Sequence, residues 1–158
     1  MRRRRPDDAA FADFVDANER RLRQAFTASL GPVAGQEATV EALSYGWEHW
    51  NRISKMTNPV GYLFVVGRDR ANHHRRRRDR PSANFVVPSA SPPPWYEPAL
   101  PGLIEGLSDR ERQVVVLLHA FEWSTGEIAE LLDVSKSTVQ TYADRALSKL
   151  RSGLGVQA

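Results

Sequence analysis

Cysteine is absent from the 158 residues, which excludes disulfides and thiolate-bound metal. Lysine is scarce, three residues against nineteen arginines. No apolar run approaches the roughly 18 residues that a membrane span needs. The basic start Met1-Arg2-Arg3-Arg4-Arg5 has no apolar stretch behind it, so it does not read as a secretory signal, and a cytoplasmic location without membrane attachment is expected. There is no Gly-rich phosphate loop and no nucleophile–base pattern. Four scattered histidines, His49, His73, His74 and His119, make no convincing zinc set. The expectation is a protein that is not an enzyme and uses no cofactor or metal.

What is present suffices for a packed core: 41% of residues are hydrophobic and 26% charged, in a length that suits one ordinary domain or two small ones. The net charge of +3 is unevenly spread. Residues 1–102 hold sixteen Arg/Lys against eleven Asp/Glu, whereas 103–158 hold six against eight. The basic excess concentrates in 68–80, with seven arginines and two histidines, a pattern of polyanion binding or of a solvated face. Seven of the ten prolines fall in 81–101, so no helix is expected to run through that stretch. It predicts an extended tether between two helical parts.

Before the tether, Phe11, Phe14, Val15, Leu22 and Phe26 recur at helix spacing, and Gly31-Pro32 followed by Gly35 reads as a break. Residues 36–50 predict a second helix with Val40, Leu43, Trp47 and Trp50 along its apolar stripe. Asn58-Pro59 opens a third, since asparagine caps and proline fits the first turn; Leu63, Val66 and Arg70 form its stripe. At that spacing Trp47, Trp50, Tyr62 and Phe64 favour core packing over base stacking. The leading residues 1–10 read as a disordered basic tail.

After the tether the signals sharpen. Ser108 with Glu111, and Ser124 with Glu127, have capping-box spacing. The helix after Ser108 is expected to bury Val114, Leu117, Leu118 and Phe121. The next, 125–132, turns Ile128, Leu131 and Leu132 inward, with small Ala129 at a close crossing. Asp133-Val134-Ser135 makes the turn, with aspartate at a left-handed position that it tolerates better than most residues. Val139 then faces inward, leaving Lys136, Ser137, Thr138, Gln140, Thr141 and Arg145 outside. This is the spacing of a helix-turn-helix whose second helix enters the major groove. Gln140 could read adenine and Lys136 guanine or phosphate; the plain alternative is a three-helix core with a polar surface.

The run Glu127-Ile128-Ala129-Glu130-Leu131-Leu132-Asp133-Val134-Ser135-Lys136-Ser137-Thr138-Val139, followed by Arg145-Ala146-Leu147-Ser148-Lys149-Leu150-Arg151, resembles region four of bacterial sigma factors. That region binds the minus-thirty-five promoter element. LuxR-type regulators share much of it, so the first half discriminates. Trp47-Glu48-His49-Trp50, then Asn58-Pro59-Val60-Gly61-Tyr62-Leu63-Phe64-Val65-Val66-Gly67-Arg68 and the arginine run, resemble region two of the extracytoplasmic-function sigma factors.

The resemblance implies an all-α protein with region two over 11–80, a tether over 81–102 and region four over 103–152. It implies core RNA polymerase and promoter DNA as partners, and leaves room for an anti-sigma factor. The helix 36–50 would dock on the polymerase clamp, with Glu37, Glu41 and Trp47 as contacts; Val40 stands where the family commonly has glutamine, and Leu43 where it has an aromatic. Helix 59–78 would recognise and melt the minus-ten element through Arg68, Asp69, Arg70, Asn72, His73 and Arg76, with Asp69 where asparagine is frequent. Cations and polar groups are what an unpaired strand requires. Two alternatives stay open at this point: a helix-turn-helix regulator acting without core polymerase, and a sigma-like interaction adaptor that no longer opens promoters.

Overall fold

The computed structural model describes residues 6–78 and 97–155; residues 1–5 of the expected tail and most of the tether, 81–96, lie outside them. All regular structure among the described residues is helical, as the resemblance implied. The chain divides into two compact units, Met1–Pro81 and Ser82–Ala158.

The first unit contains α1 (Pro6–Leu30), α2 (Pro32–Glu48), the single turn α3 (Trp50–Ile53) and α4 (Pro59–Arg78). Residues 6–10, read above as tail, are the first turns of α1. Proline at the first helical position loses no useful N–H, and Asp7 and Asp8 complement the positive end of the helix. At the far end Gly31 adopts φ 87° and ψ 171°, a conformation open to glycine alone, so Pro32 can start α2 one residue after α1 stops.

Gly35 does not break a helix. It lies buried inside α2, where a Cβ would sit 2.7 Å from the backbone nitrogen of Thr27 and 2.8 Å from its Cα. α1 and α2 therefore cross backbone against backbone. The Thr39 hydroxyl, buried in α2, donates to the Gly35 carbonyl at 2.7 Å, which satisfies it.

The close crossing inverts the expected face of α2. Its buried residues are Gly35, Ala38, Thr39, Ala42 and Gly46, because only small side chains fit between helices this near. Val40 and Trp47, expected inside, are 62% and 50% exposed, and Val33 is 74% exposed. Large side chains for the core come from elsewhere: Leu22, Phe26 and Leu30 of α1, Ile53 of α3, and Leu63 and Phe64 of α4. Phe26 and Phe64 rings lie 5.3 Å apart, and Gly67 lets α4 pass over the Phe26 ring. Trp50 is buried as expected, against Phe11 and Phe14. Asn58 caps α4 by accepting from the Gly61 amide at 2.9 Å.

The second unit contains α5 (Leu100–Glu105), α6 (Asp109–His119), α7 (Thr125–Leu132) and α8 (Lys136–Gly153). α5 starts at Leu100, three residues earlier than the sequence pattern suggested, because Pro101 occupies its first turn, where proline is harmless. Leu100, Leu103 and Ile104 pack on Leu107, Val115, Ala146 and Leu150. Both capping boxes form: Ser108 with Glu111, each bond 3.3 Å, and Ser124 with Glu127, at 3.1 and 2.8 Å. α6 buries Val114, Val115 and Leu117. Leu118 and Phe121 are only half-buried, Phe121 because it falls past the end of α6; the buried aromatic at this corner is Trp123.

Glu111 is buried, and its carboxylate accepts from Lys149 Nζ at 2.8 and 2.9 Å, tying α6 to α8. That hydrogen bond from Lys149, opposed by burial and helped by the Ser108 amide, holds the carboxyl below the usual glutamate range. A carboxyl depressed in the folded state stabilises above its ordinary value of about 4.3, and that contribution is lost as pH falls through the folded value. Unfolding followed from about pH 7 to pH 3 should therefore show stability falling toward acid, and falling less steeply in Glu111→Gln. Parallel profiles for the two proteins would remove Glu111 as the cause.

Candidate nucleic-acid and polymerase interface

In the second unit the turn between α7 and α8 has the expected form. Asp133 ends α7 with φ 54° and ψ 51°, in the left-handed region, and the Val134 amide donates to the Ala129 carbonyl at 3.0 Å. Ser135 caps α8 by accepting from the Thr138 amide at 3.1 Å. Ala129 and Val139 are both buried, ten residues apart, where α7 and α8 meet. A branched residue at this φ is strained, whereas glycine is not. Asp133→Val should cost about 1–2 kcal/mol and Asp133→Gly should stay within about 0.5 kcal/mol of the parent in thermal unfolding. Equal losses in both would contradict the geometry.

Lys136, Ser137, Gln140, Thr141 and Arg145 are exposed on α8 and Thr138 is half-buried. Several of these groups are already engaged. The Ser137 and Thr138 hydroxyls lie 3.0 and 2.8 Å from Ser135 Oγ, and the Thr141 hydroxyl donates to the Ser137 carbonyl at 3.0 Å. Gln140 Nε2 donates to Asp144 Oδ1 at 2.9 Å, which orients the amide and leaves its carbonyl oxygen and one N–H to meet a base edge.

In the first unit α4 carries the other set of expected contacts, distributed around the helix rather than along one stripe. Val65, Asp69 and His73, four residues apart, are exposed in a row. Arg68 and Asn72 are half-buried; Arg68 lies over the Phe64 ring at 5.7 Å and 3.8 Å from Asp69. Arg70 and His74 turn toward α2 instead, where Glu41 Oε1 lies 3.7 Å from Arg70 Nη1 and 3.5 Å from His74 Nε2. Arg76 is a residue of α4, but its side chain and those of its arginine neighbours lie outside the described part.

The three residues expected to meet polymerase are thus split. Glu37 and Trp47 are exposed on the outer face of α2, in line with Val33, Val40 and Ser44. Trp47 stands edge-on to Phe11 with ring centroids 5.4 Å apart. Glu41 lies on the side of α4.

Around Glu41 is a cluster that periodicity did not signal. Arg70 sits 4.7 Å over the Tyr45 ring, and His49 lies 4.3 Å from the same ring. Arg52 of α3 donates to Tyr45 Oη at 3.0 Å and to Tyr62 Oη at 3.3 Å, and the two hydroxyls are 3.3 Å apart. The bond with Tyr45, and then that with Arg52, pulls the Tyr62 hydroxyl below the usual phenol range. The bonds to Tyr62 and Tyr45 raise Arg52 further. Beside this cluster Glu48, His49, Asn51, Arg52 and Lys55 line an open cleft of about 550 Å³. Only the Glu41–Tyr45–His49 spacing of four, a helix row, was visible in the sequence. Among the described residues no group of three acidic or histidine side chains could hold a metal ion, and no helix is long and apolar enough to cross a membrane.

The family model "Sigma-70, region 4" matches residues 99–150, the whole of the helix-turn-helix with α5 and α6. RNA polymerase sigma-E factor of Streptomyces avermitilis is 30% identical over 139 residues, which span 84% of this chain and 78% of that protein. A match of that length takes in both units. The chain belongs to the extracytoplasmic-function sigma factors. As a sigma factor it binds core RNA polymerase and directs promoter-specific transcription initiation. Its fold is also that of the sigma factor RpoE, solved in complex with the anti-sigma factor NepR from Bartonella quintana: TM-score 0.64 at 16% identity, covering 94% of this chain and 99% of that one. A regulator acting without core polymerase, and an adaptor that no longer opens promoters, are not favoured by this sigma-factor likeness.

Proposed function

We propose that the division of labour between the two units is that of regions two and four, with 11–80 serving polymerase docking and the minus-ten element and 103–152 the minus-thirty-five element. The observation that carries the docking half is the outward stripe of α2: Val33, Val40 and Trp47 recur every seven residues, exposed, on a helix whose small residues already complete the fold. An apolar row left this exposed marks a surface for another protein. Glu37 and Trp47 belong to that stripe; Glu41, turned to α4, is not part of it. No covalent chemistry enters this reading, and the protein works in the cytoplasm, where its polymerase and promoters are.

On DNA, the α8 residues Lys136, Ser137, Thr138, Gln140, Thr141 and Arg145 would meet the duplex in the major groove. The α4 residues Arg68, Asp69, Arg70, Asn72, His73 and Arg76 would meet the opened strand, where contacts to a flipped base offset an unstacking cost of a few kcal/mol. Phosphate contacts make such binding salt-dependent, with log K falling by about 0.9 per contact against log salt. The Bartonella quintana relative is bound by an anti-sigma factor, and a protein of that kind is proposed as a further partner.

Run-off transcription with purified core enzyme tests the reading. Start-site selectivity should appear only when this protein is added, and should fall when Lys136 and Arg145 are both replaced by alanine. Selective transcription that survives that double replacement would detach α8 from the promoter.

A further inference from the structure

We infer that Glu41 and Tyr45 of α2 are positioning residues that set the pose of Arg70 on α4 for its contact with the opened promoter strand. The inference rests on the reading of α4 as the helix that meets unpaired DNA.

Glu41 and Tyr45 lie one turn apart on α2 and hold one guanidinium between them. The carboxylate stands 3.7 Å from Arg70 Nη1, and the Tyr45 ring lies 4.7 Å beneath its central carbon. A charge alone leaves a long side chain free to swing. A ring face adds a plane on which the flat guanidinium stacks, and so fixes its orientation.

The ring is itself held on several sides. His49, the residue that follows α2, lies 4.3 Å from it, Arg52 of α3 donates to its hydroxyl at 3.0 Å, and the Tyr62 hydroxyl of α4 lies 3.3 Å from that hydroxyl. Glu41 also faces His74 at 3.5 Å, one turn beyond Arg70, so a single carboxylate spans two α4 side chains. Three helices therefore converge on the surface that carries Arg70.

Arg70 keeps 46% of its side chain exposed, enough to present N–H groups outward. A flexible arginine must lose rotamer freedom when it grips a phosphate or a base, and one already stacked and ion-paired has less to lose. Arg68 has a different setting, over Phe64 and beside its neighbour Asp69. Because the Glu41 pair is half-exposed, its removal should hardly alter folding. Its effect should be felt where Arg70 acts.

The test compares the parent with Glu41→Gln, Tyr45→Leu, Arg70→Gln and the double variant Glu41→Gln/Arg70→Gln, each as holoenzyme at saturating sigma. Promoter opening is read by permanganate reactivity of unpaired thymines, core affinity by fluorescence titration, and folding by thermal unfolding. Glu41→Gln should lower opening about two- to fivefold, the scale of a half-exposed ion pair, with core affinity and thermal midpoint unchanged. Tyr45→Leu should lower opening as well, and the double variant should open no worse than Arg70→Gln alone, as expected for residues acting through one group. The inference is overturned if the Glu41 and Arg70 losses multiply, if Glu41→Gln loses core affinity instead of opening, or if opening is unaffected in both α2 variants while the parent opens normally. A parent that opens no promoter at all removes the function itself, and this inference with it.

Discussion

Trp47→Ala is expected to weaken association with core RNA polymerase by about thirtyfold, some 2 kcal/mol, the loss typical of a buried tryptophan anchor in a protein interface. The indole is half-exposed in the free protein, yet it is not loose: its edge-on contact with Phe11, at 5.4 Å between ring centres, holds it against the end of the bundle. An aromatic side chain that is rigid before binding loses little entropy on binding. Val40 and Val33 extend the same stripe along α2, one and two heptads from it. Folding should suffer far less than binding, because the buried Phe11–Trp50 contact remains when Trp47 is cut back. The comparison is direct: affinity for core enzyme by fluorescence titration, against thermal unfolding of the same two proteins. Unchanged affinity would leave α2 without a role in docking.

Gly35→Ala is expected to act in the opposite way, on the fold first. A glycine inside an exposed helix gains up to about 1 kcal/mol when replaced by alanine, so propensity alone predicts a more stable protein. Here the new methyl would stand within 2.7–2.9 Å of the Thr27 nitrogen, the Thr27 Cα and the Phe26 carbonyl carbon. These are backbone atoms of a packed helix, and no rotamer change moves them aside. Overpacking of this kind costs about 1–3 kcal/mol, which outweighs the propensity gain. For a unit of this size each kcal/mol lowers the melting temperature by about 4–8 °C. Gly35→Val should cost still more, because its branched carbons enlarge the same clash. A rise in melting temperature for Gly35→Ala would show that α1 and α2 can part cheaply.

The sequence revealed the elements whose cause is local. Ser108 with Glu111, Ser124 with Glu127, and Asn58 before Pro59 announced helix starts because a cap needs only residues within one turn. Asp133 marked its turn because few residues accept a left-handed backbone. The faces of α2 were misread for a physical reason. Apolar periodicity locates large residues and cannot tell an inward stripe from an outward one, while the true inner face, Gly35, Ala38, Ala42 and Gly46, gives almost no hydrophobic signal. Proline density misled at Pro101, which was read as part of the tether and instead opens α5.

Site residues followed the same division. The outward placement of the α8 residues was legible because Ala129 and Val139, ten apart, already orient that helix. The bond from Gln140 to Asp144 spans four residues and was open to the same reasoning. The cluster of Glu41, Tyr45, Arg52, Tyr62 and Arg70 was hidden because it depends on how α2, α3 and α4 align, and that alignment is decided by packing between residues far apart in the chain.

The seam at Gly35 also has a mechanical side. Backbone seated on backbone leaves no compliant layer of side chains to absorb a displacement. A push delivered to the outer surface of α2 should therefore reach α1 directly at this crossing, and the two helices are expected to shift together there.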